Sequence, residues 1–87
     1  MKSFKLIVST PQGNVFENDV SMISLRGTEG SLAVMANHVP FITATKAGEV
    51  KILIDEDTEM LAEATDGMLT VAKEGVTLLC GSFTKKE

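Results

Sequence analysis

The stretch Asp57-Thr58-Glu59-Met60-Leu61-Ala62-Glu63-Ala64 decides the fold. Glu, Met, Leu and Ala are good helix formers, and acidic residues stand ahead of them as potential caps, so local propensity alone writes a short helix here. The same residues also alternate: Met60, Ala62 and Ala64 fall on one side, Leu61, Glu63 and Thr65 on the other. A period of two is the mark of a strand with one face buried. Tertiary context commonly overrides propensity, and every neighbouring segment reads as strand, so this one is read as strand too.

Outward from it the pattern repeats. Phe4, Leu6 and Val8 alternate with Lys5, Ile7 and Ser9 until Pro11-Gln12-Gly13-Asn14 breaks the run. Asn14 to Glu17 and Val20 to Arg26 are the next two expected strands, with Asn18-Asp19 as a tight turn between them. Gly27 to Gly30 reads as a polar turn and Ser31 to Met35 as a strand. Pro40 cannot sit in a central strand, which makes residues 36–40 a loop. Phe41 to Thr45 and Val50 to Ile54 follow, separated by Lys46-Ala47-Gly48-Glu49. Met68 to Ala72 and Val76 to Cys80 flank Lys73-Glu74-Gly75 as a hairpin. Short strands at regular spacing with glycine-bearing turns predict an all-β sandwich or flattened barrel.

The 87 residues are expected to form one domain, residues 1–87. A chain this short buries only about 60–65% of its unfolded surface, so its core must be compact. Mean hydropathy is +0.16, high for a free-standing domain, which assigns part of the apolar surface to a partner. The net charge of −4 and the scattering of the 8 basic residues argue against nucleic acid, whose phosphates demand clustered Lys and Arg. Lys85-Lys86, the only adjacent basic pair, falls at an end expected to fray. Six of the 12 acidic residues lie between Asp55 and Asp66. They read as a solvated edge, because Asp55, Asp57 and Glu59 lack the glycine turn and terminal glutamate of a calcium loop.

No catalytic, metal or cofactor centre is expected. One histidine, His38, and one cysteine, Cys80, fall short of a zinc set. Cys80 lies in the apolar run Val76-Thr77-Leu78-Leu79-Cys80, which predicts a buried thiol rather than a nucleophile. No glycine pattern for cradling phosphates precedes a helix, and carboxylates between Asp55 and Asp66 have no reason for a raised pKa. No apolar stretch approaches a membrane span, and the first residues show no signal-peptide pattern, so the expected place is in or facing the cytoplasm, without direct membrane insertion. His38 reads either as a loop imidazole that shapes the turn before Pro40 or as a polar interface contact. Phe41 and Ile42 beside it are candidates for core or for an apolar anchor.

The run Gly30-Ser31-Leu32-Ala33-Val34-Met35-Ala36-Asn37-His38-Val39-Pro40-Phe41-Ile42-Thr43-Ala44-Thr45-Lys46-Ala47-Gly48-Glu49-Val50, with Glu29 before it, resembles the signature Glu-Gly-x-Leu-Gly-x-x-Pro-Gly-His-x-Pro-Leu-x-Thr-x-Leu-x-Pro-Gly of the epsilon subunit of F-type ATP synthases, called delta in mitochondria. Glu29, Gly30, Leu32, His38, Pro40, Thr43 and Gly48 match. The opening strand, the stretch Val15 to Val20, and Asp66-Gly67-Met68-Leu69 with Val76-Thr77-Leu78-Leu79 are similar to the family as well, so the likeness runs from Phe4 to about Cys80. Ala33, Ala36 and Asn37 stand in place of glycine, proline and glycine, Ala47 in place of proline, and Asp66 in place of glycine. Asn tolerates the left-handed conformation, so Asn37 is expected to keep the turn.

The resemblance implies two stacked, mostly antiparallel five-stranded sheets, about ten short strands in all. It implies a non-catalytic subunit of the rotary central stalk, with the gamma subunit and the membrane c-ring as partners. It places the chain peripherally, at the cytoplasmic face of a bacterial membrane. Carried over by position, His38 and Thr43, with Phe41 and Ile42 as anchors, would face gamma. Glu29, Gly30 and Ser31 would touch the ring, with Ser31 where the family commonly has an acidic residue. The family's C-terminal inhibitory helices and the ATP site they help form are expected to be absent, and no ATP binding is expected. A lipoyl- or biotinyl-type carrier domain is the alternative, since Thr45-Lys46-Ala47 resembles the Asp-Lys-Ala of the modified lysine hairpin.

Overall fold

A computed structural model describes residues 2–37 and 39–86. It has ten strands and, among the described residues, no helix. They are β1 (Phe4–Thr10), β2 (Gly13–Val20), β3 (Met22–Gly27), β4 (Gly30–Met35), β5 (Phe41–Thr45), β6 (Gly48–Leu53), β7 (Glu59–Ala64), β8 (Gly67–Ala72), β9 (Gly75–Cys80) and β10 (Phe83–Lys86). One layer runs β4-β3-β6-β7-β10, the other β5-β8-β9-β1-β2, and they join through the single pair Gly27–Thr45. Every pairing is antiparallel except β1 with β9. The two layers are the expected sandwich.

Alternation builds the core. Leu6 and Val8 of β1, Leu69 and Val71 of β8, and Val76 and Leu78 of β9 are buried from one layer. Ile23 and Leu25 of β3, Val34 of β4, and Val50 and Ile52 of β6 are buried from the other, and the two sets form one cluster. The deciding stretch settles as a strand: Glu59–Ala64 is β7, paired with β6 on one side and β10 on the other. Ala62 and Ala64 are buried and Met60 packs against the core, a burial that a two-turn helix could not match with both sheet edges left unpaired.

Two expectations fail. Asn18 and Asp19 do not form a turn. They continue β2, opposite Leu6 and Lys5 of β1. The chain instead crosses from one layer to the other at buried Ser21, whose N–H and hydroxyl both donate to the Leu53 carbonyl, at 2.7 and 2.9 Å. Those bonds give the crossover a tertiary anchor, which no local turn signal encodes. The C-terminal lysines do not fray. Phe83–Lys86 is β10, with Phe83 against the core and Lys86 Nζ at 3.1 Å from Glu49 Oε2 and 3.6 Å from Glu63 Oε2. Glu49 and Glu63 stand directly opposite across β6 and β7, a like-charge pair that Lys86 bridges.

Three connections cross between the layers side by side. Thr45, Gly67 and Cys80 are neighbours in one layer, and Gly48, Ala64 and Phe83 are neighbours in the other. The links between them, 46–47, 65–66 and 81–82, are tied together: the Ala47 N–H donates to Asp66 Oδ1 at 2.7 Å, and Gly81 and Ser82 N–H groups donate to Thr65 Oγ1 at 2.9 and 3.0 Å. Gly67 leaves no space for a side chain, since a Cβ there would run into the Leu79 carbonyl.

Candidate functional site

The sandwich has two unlike outer surfaces. On the β4-β3-β6-β7-β10 layer, Arg26, Glu49, Lys51, Glu59, Glu63 and Lys86 stand at outward positions, beside an apolar row of Met35, Met22 and Leu53. Lys51 pairs with Glu59 at 3.5 Å beside the Lys86 bridges. These are half-exposed surface pairs, which add little stability and keep the face wetted.

The other layer presents something different. Register sets Ile42 beside Thr70, Thr70 beside Thr77 and Thr77 beside Ile7. In the adjacent row Ala44, Met68, Leu79 and Ser9 follow one another. The middle of this face therefore carries no charge. Ile42 is 65% exposed, Leu79 47% and Met68 45%. The charges come at its margin, where Lys5 pairs with Glu17 at 3.2 Å. An uncharged, partly apolar surface with a polar rim has the makeup of a protein interface.

The candidate contact residues divide among distinct places. Glu29 is exposed in the two-residue turn that closes β3 onto β4, and Gly30 follows with φ of +125°, a conformation L side chains avoid. Ser31 is exposed opposite Arg26. These three share one end of β4. At the other end comes the 36–40 loop, with β4 spanning roughly 17 Å between them. His38 lies outside the described residues. Asn37 before it has φ of +70°, so asparagine does supply the left-handed residue in the place of glycine.

Strand alternation separates the remaining three. Ile42 points outward on the uncharged face, whereas Phe41 and Thr43 share the inner side, opposite Val71 and Leu69. Phe41 is half-buried and packs on the core. Sequence reading thus placed Ile42 beside the surface but missed its companions Ile7, Ala44, Met68 and Leu79. The signal was present: β8 has apolar residues at Met68, Leu69 and Val71, and β9 has Leu78-Leu79 in succession. In a strand, adjacent apolar residues cannot both enter one core, so one of each pair must face outward.

Cys80 is buried, and burial pushes its thiol pKa up, away from nucleophilic chemistry. Lys46 does not sit at a hairpin tip. It lies in the crossover from β5 to β6, with its N–H bonded to the Arg26 carbonyl at 3.0 Å. The carrier-domain alternative lacks the geometry it needs. Two of the departures from the family pattern also meet in space: Ala47, in place of proline, gives its N–H to Asp66, in place of glycine. Proline has no N–H to give, so the two positions act as a pair.

Comparison with known proteins agrees with this arrangement. A family model described as the ATP synthase delta/epsilon chain β-sandwich domain matches residues 3–86. The ATP synthase epsilon chain of Bacillus subtilis is 35% identical over 79 residues, covering 91% of this chain and 59% of that protein. That of Anoxybacillus flavithermus is 34% identical over all 87 residues and 64% of its own length. The chain thus spans about three fifths of the length of these relatives. Among solved structures, a chain of the Euglena gracilis mitochondrial ATP synthase superposes with a TM-score of 0.88 at 16% identity, over 95% of this chain and 53% of that one. A chain of the Tetrahymena thermophila mitochondrial ATP synthase central stalk and c-ring gives 0.79 at 17% identity, over 94% of this chain and 66% of its own. The superpositions establish a shared fold, and the family match over nearly the whole chain goes further: this chain belongs to the delta/epsilon β-sandwich family of ATP synthases.

Proposed function

We propose that this domain is a non-catalytic part of the central stalk of an F-type ATP synthase, linking the gamma subunit to the c-ring during proton- or sodium-driven ATP synthesis. The bacterial relatives named ATP synthase epsilon chain support the assignment. So do the solved neighbours, which are chains of mitochondrial ATP synthase assemblies that include a c-ring. Its place is peripheral, at the cytoplasmic face of a bacterial membrane.

The observation that carries the reading is the uncharged outer face holding Ile42, Met68 and Leu79. In this proposal the face, with the His38–Thr43 segment at its border, packs against gamma. The exposed Glu29–Ser31 turn meets the ring. The role is mechanical. Three adjacent crossovers tied by the Ala47–Asp66 and Thr65 hydrogen bonds resist sliding of one layer over the other. Torque entering at the turn therefore reaches the face without being absorbed in the sandwich.

The test is co-purification with a gamma subunit. Ile42→Asp and Met68→Asp each place a charge in the buried centre of the proposed interface and are expected to weaken retention by roughly tenfold or more. Lys51→Glu on the opposite, charged face is expected to leave it unchanged. Equal retention of all three variants would refute the assignment of this face. No ATP binding is proposed, and calorimetry showing micromolar affinity for ATP would overturn that part.

A further inference from the structure

Sheets end in strands with one unpaired edge, and proteins normally guard such edges with charge, proline or very short length. β2 is guarded by Glu17 and Asp19, and β10 by Lys85 and Lys86. β4, Gly30-Ser31-Leu32-Ala33-Val34-Met35, carries no charge and no proline over six residues. It pairs with β3 from Met22–Met35 to Gly27–Gly30, and among the described residues no strand pairs with its other edge. β5 is also uncharged, but it is tied to β3 at Thr45.

Both sides of the open edge are prepared for apolar contact. On the outer side Ala33 is exposed and Met35 is 57% exposed. Met35 stands opposite Met22, which stands opposite Leu53, so an apolar row leads across this layer up to the edge. At the far end of β4 a groove of about 580 Å³ opens, lined by Val34 and Met35 together with Phe4, Pro40, Val71 and Val76, with Lys5, Asp19, Lys73 and Glu74 among its other residues. A strand laid along β4 would extend the Met35–Met22–Leu53 row with one side chain and lower the next into the groove.

We infer that β4 takes up an extended segment of the gamma-type stalk partner as a sixth strand of its layer. The inference rests on the stalk reading above. β4 runs from the Glu29–Ser31 turn to the 36–40 loop, the two places that reading assigns to ring and partner. A subunit gripping the loop is positioned to reach this edge. The segment fitting it is uncharged, extended and apolar at alternate residues, because any charge opposite Ala33 or Met35 would be desolvated beside an apolar row.

The test uses the whole chain and a purified gamma subunit. Amide hydrogen exchange of residues 31–35 is expected to slow by roughly tenfold or more in the complex, as edge amides become paired. Ala33→Lys and Met35→Lys restore the charge that guards ordinary edges. Each is expected to weaken gamma binding by about tenfold, while Thr84→Lys on the distant β10 leaves it unchanged. Both substituted side chains are exposed, and an unaltered thermal midpoint verifies folding. If gamma is retained but β4 exchange and the affinity of both lysine variants match the wild type, strand addition is wrong while the stalk assignment stands. If the free chain sediments as a dimer that Ala33→Lys dissolves, the edge belongs to a second copy and the inference fails. If gamma is not retained at all, both readings fall.

Discussion

Ala47 and Asp66 show how two departures from a family pattern become one interaction. The carboxylate of Asp66 accepts the Ala47 N–H at 2.7 Å, in the gap between two crossovers. Asp66→Gly is expected to cost about 1 kcal/mol, the usual net value of such a bond. Ala47→Pro alone removes the same donor. Because both changes delete a single bond, the double variant Ala47→Pro/Asp66→Gly should cost less than the sum of the two, a coupling that chemical denaturation of the four proteins measures. Additive costs would show that the bond contributes nothing. Gly67 is a harder constraint. Its missing Cβ would strike the Leu79 backbone, so Gly67→Ala is expected to destabilise by about 1–3 kcal/mol, read from the same denaturation curves. Asp55 is a milder case: the Asp57 N–H, 2.8 Å from Asp55 Oδ1, holds that carboxyl below its usual pKa, with the Thr58 hydroxyl assisting. Its contribution is present above the ordinary carboxylate range and is lost as pH falls through the lowered value.

Among the elements, β10 depends most on charge. The Glu49 carboxylate, through its hydrogen bond and its charge, raises the pKa of Lys86 above the usual lysine value, and Glu63 adds to this. A raised pKa stabilises the fold below the unfolded lysine value and loses that effect as pH rises through the folded one. Lys86→Met should therefore lower the thermal midpoint at neutral pH and in low salt. The gap from wild type should close as the pH climbs past the lysine range, whereas a constant gap would mean that only packing was lost. β10 was also the element least legible from sequence. Phe83-Thr84-Lys85-Lys86 has one apolar residue, and its strand state follows from pairing with β7, far back in the chain. β5, by contrast, was read with its observed limits, because Pro40 and the Lys46-Ala47-Gly48 break bound it on both sides. The crossover at Ser21 was illegible for the same reason as β10: its partner is Leu53. Of the proposed contact surface, Ile42 was legible as an apolar residue beside the histidine loop. The face around it was not, because Ile7, Met68 and Leu79 are gathered only by the strand order.

At the level of the whole molecule, the contrast between a charged face and an uncharged one predicts how binding responds to salt. Association through the Ile42–Met68–Leu79 face should weaken little between low and physiological ionic strength, since apolar burial is not screened. Surface plasmon resonance against gamma at several salt concentrations measures this, and a steep loss with salt would point to the face bearing Arg26, Lys51 and Lys86 instead. The parallel pairing of β1 with β9 has a consequence in time rather than in space. It joins Leu6 to Val76 and Ser9 to Leu79, so β1 waits until β9 has been made before both its edges are paired. A chain emerging from the ribosome cannot complete its β5-β8-β9-β1-β2 layer until β9 is free. With so many contacts between distant residues, refolding belongs in the millisecond-to-second range of non-local β topologies rather than among the microsecond folders. Newly made chains therefore pass through an interval in which Leu6, Val8 and the uncharged face are open together, and that interval is when a waiting partner or a chaperone matters most.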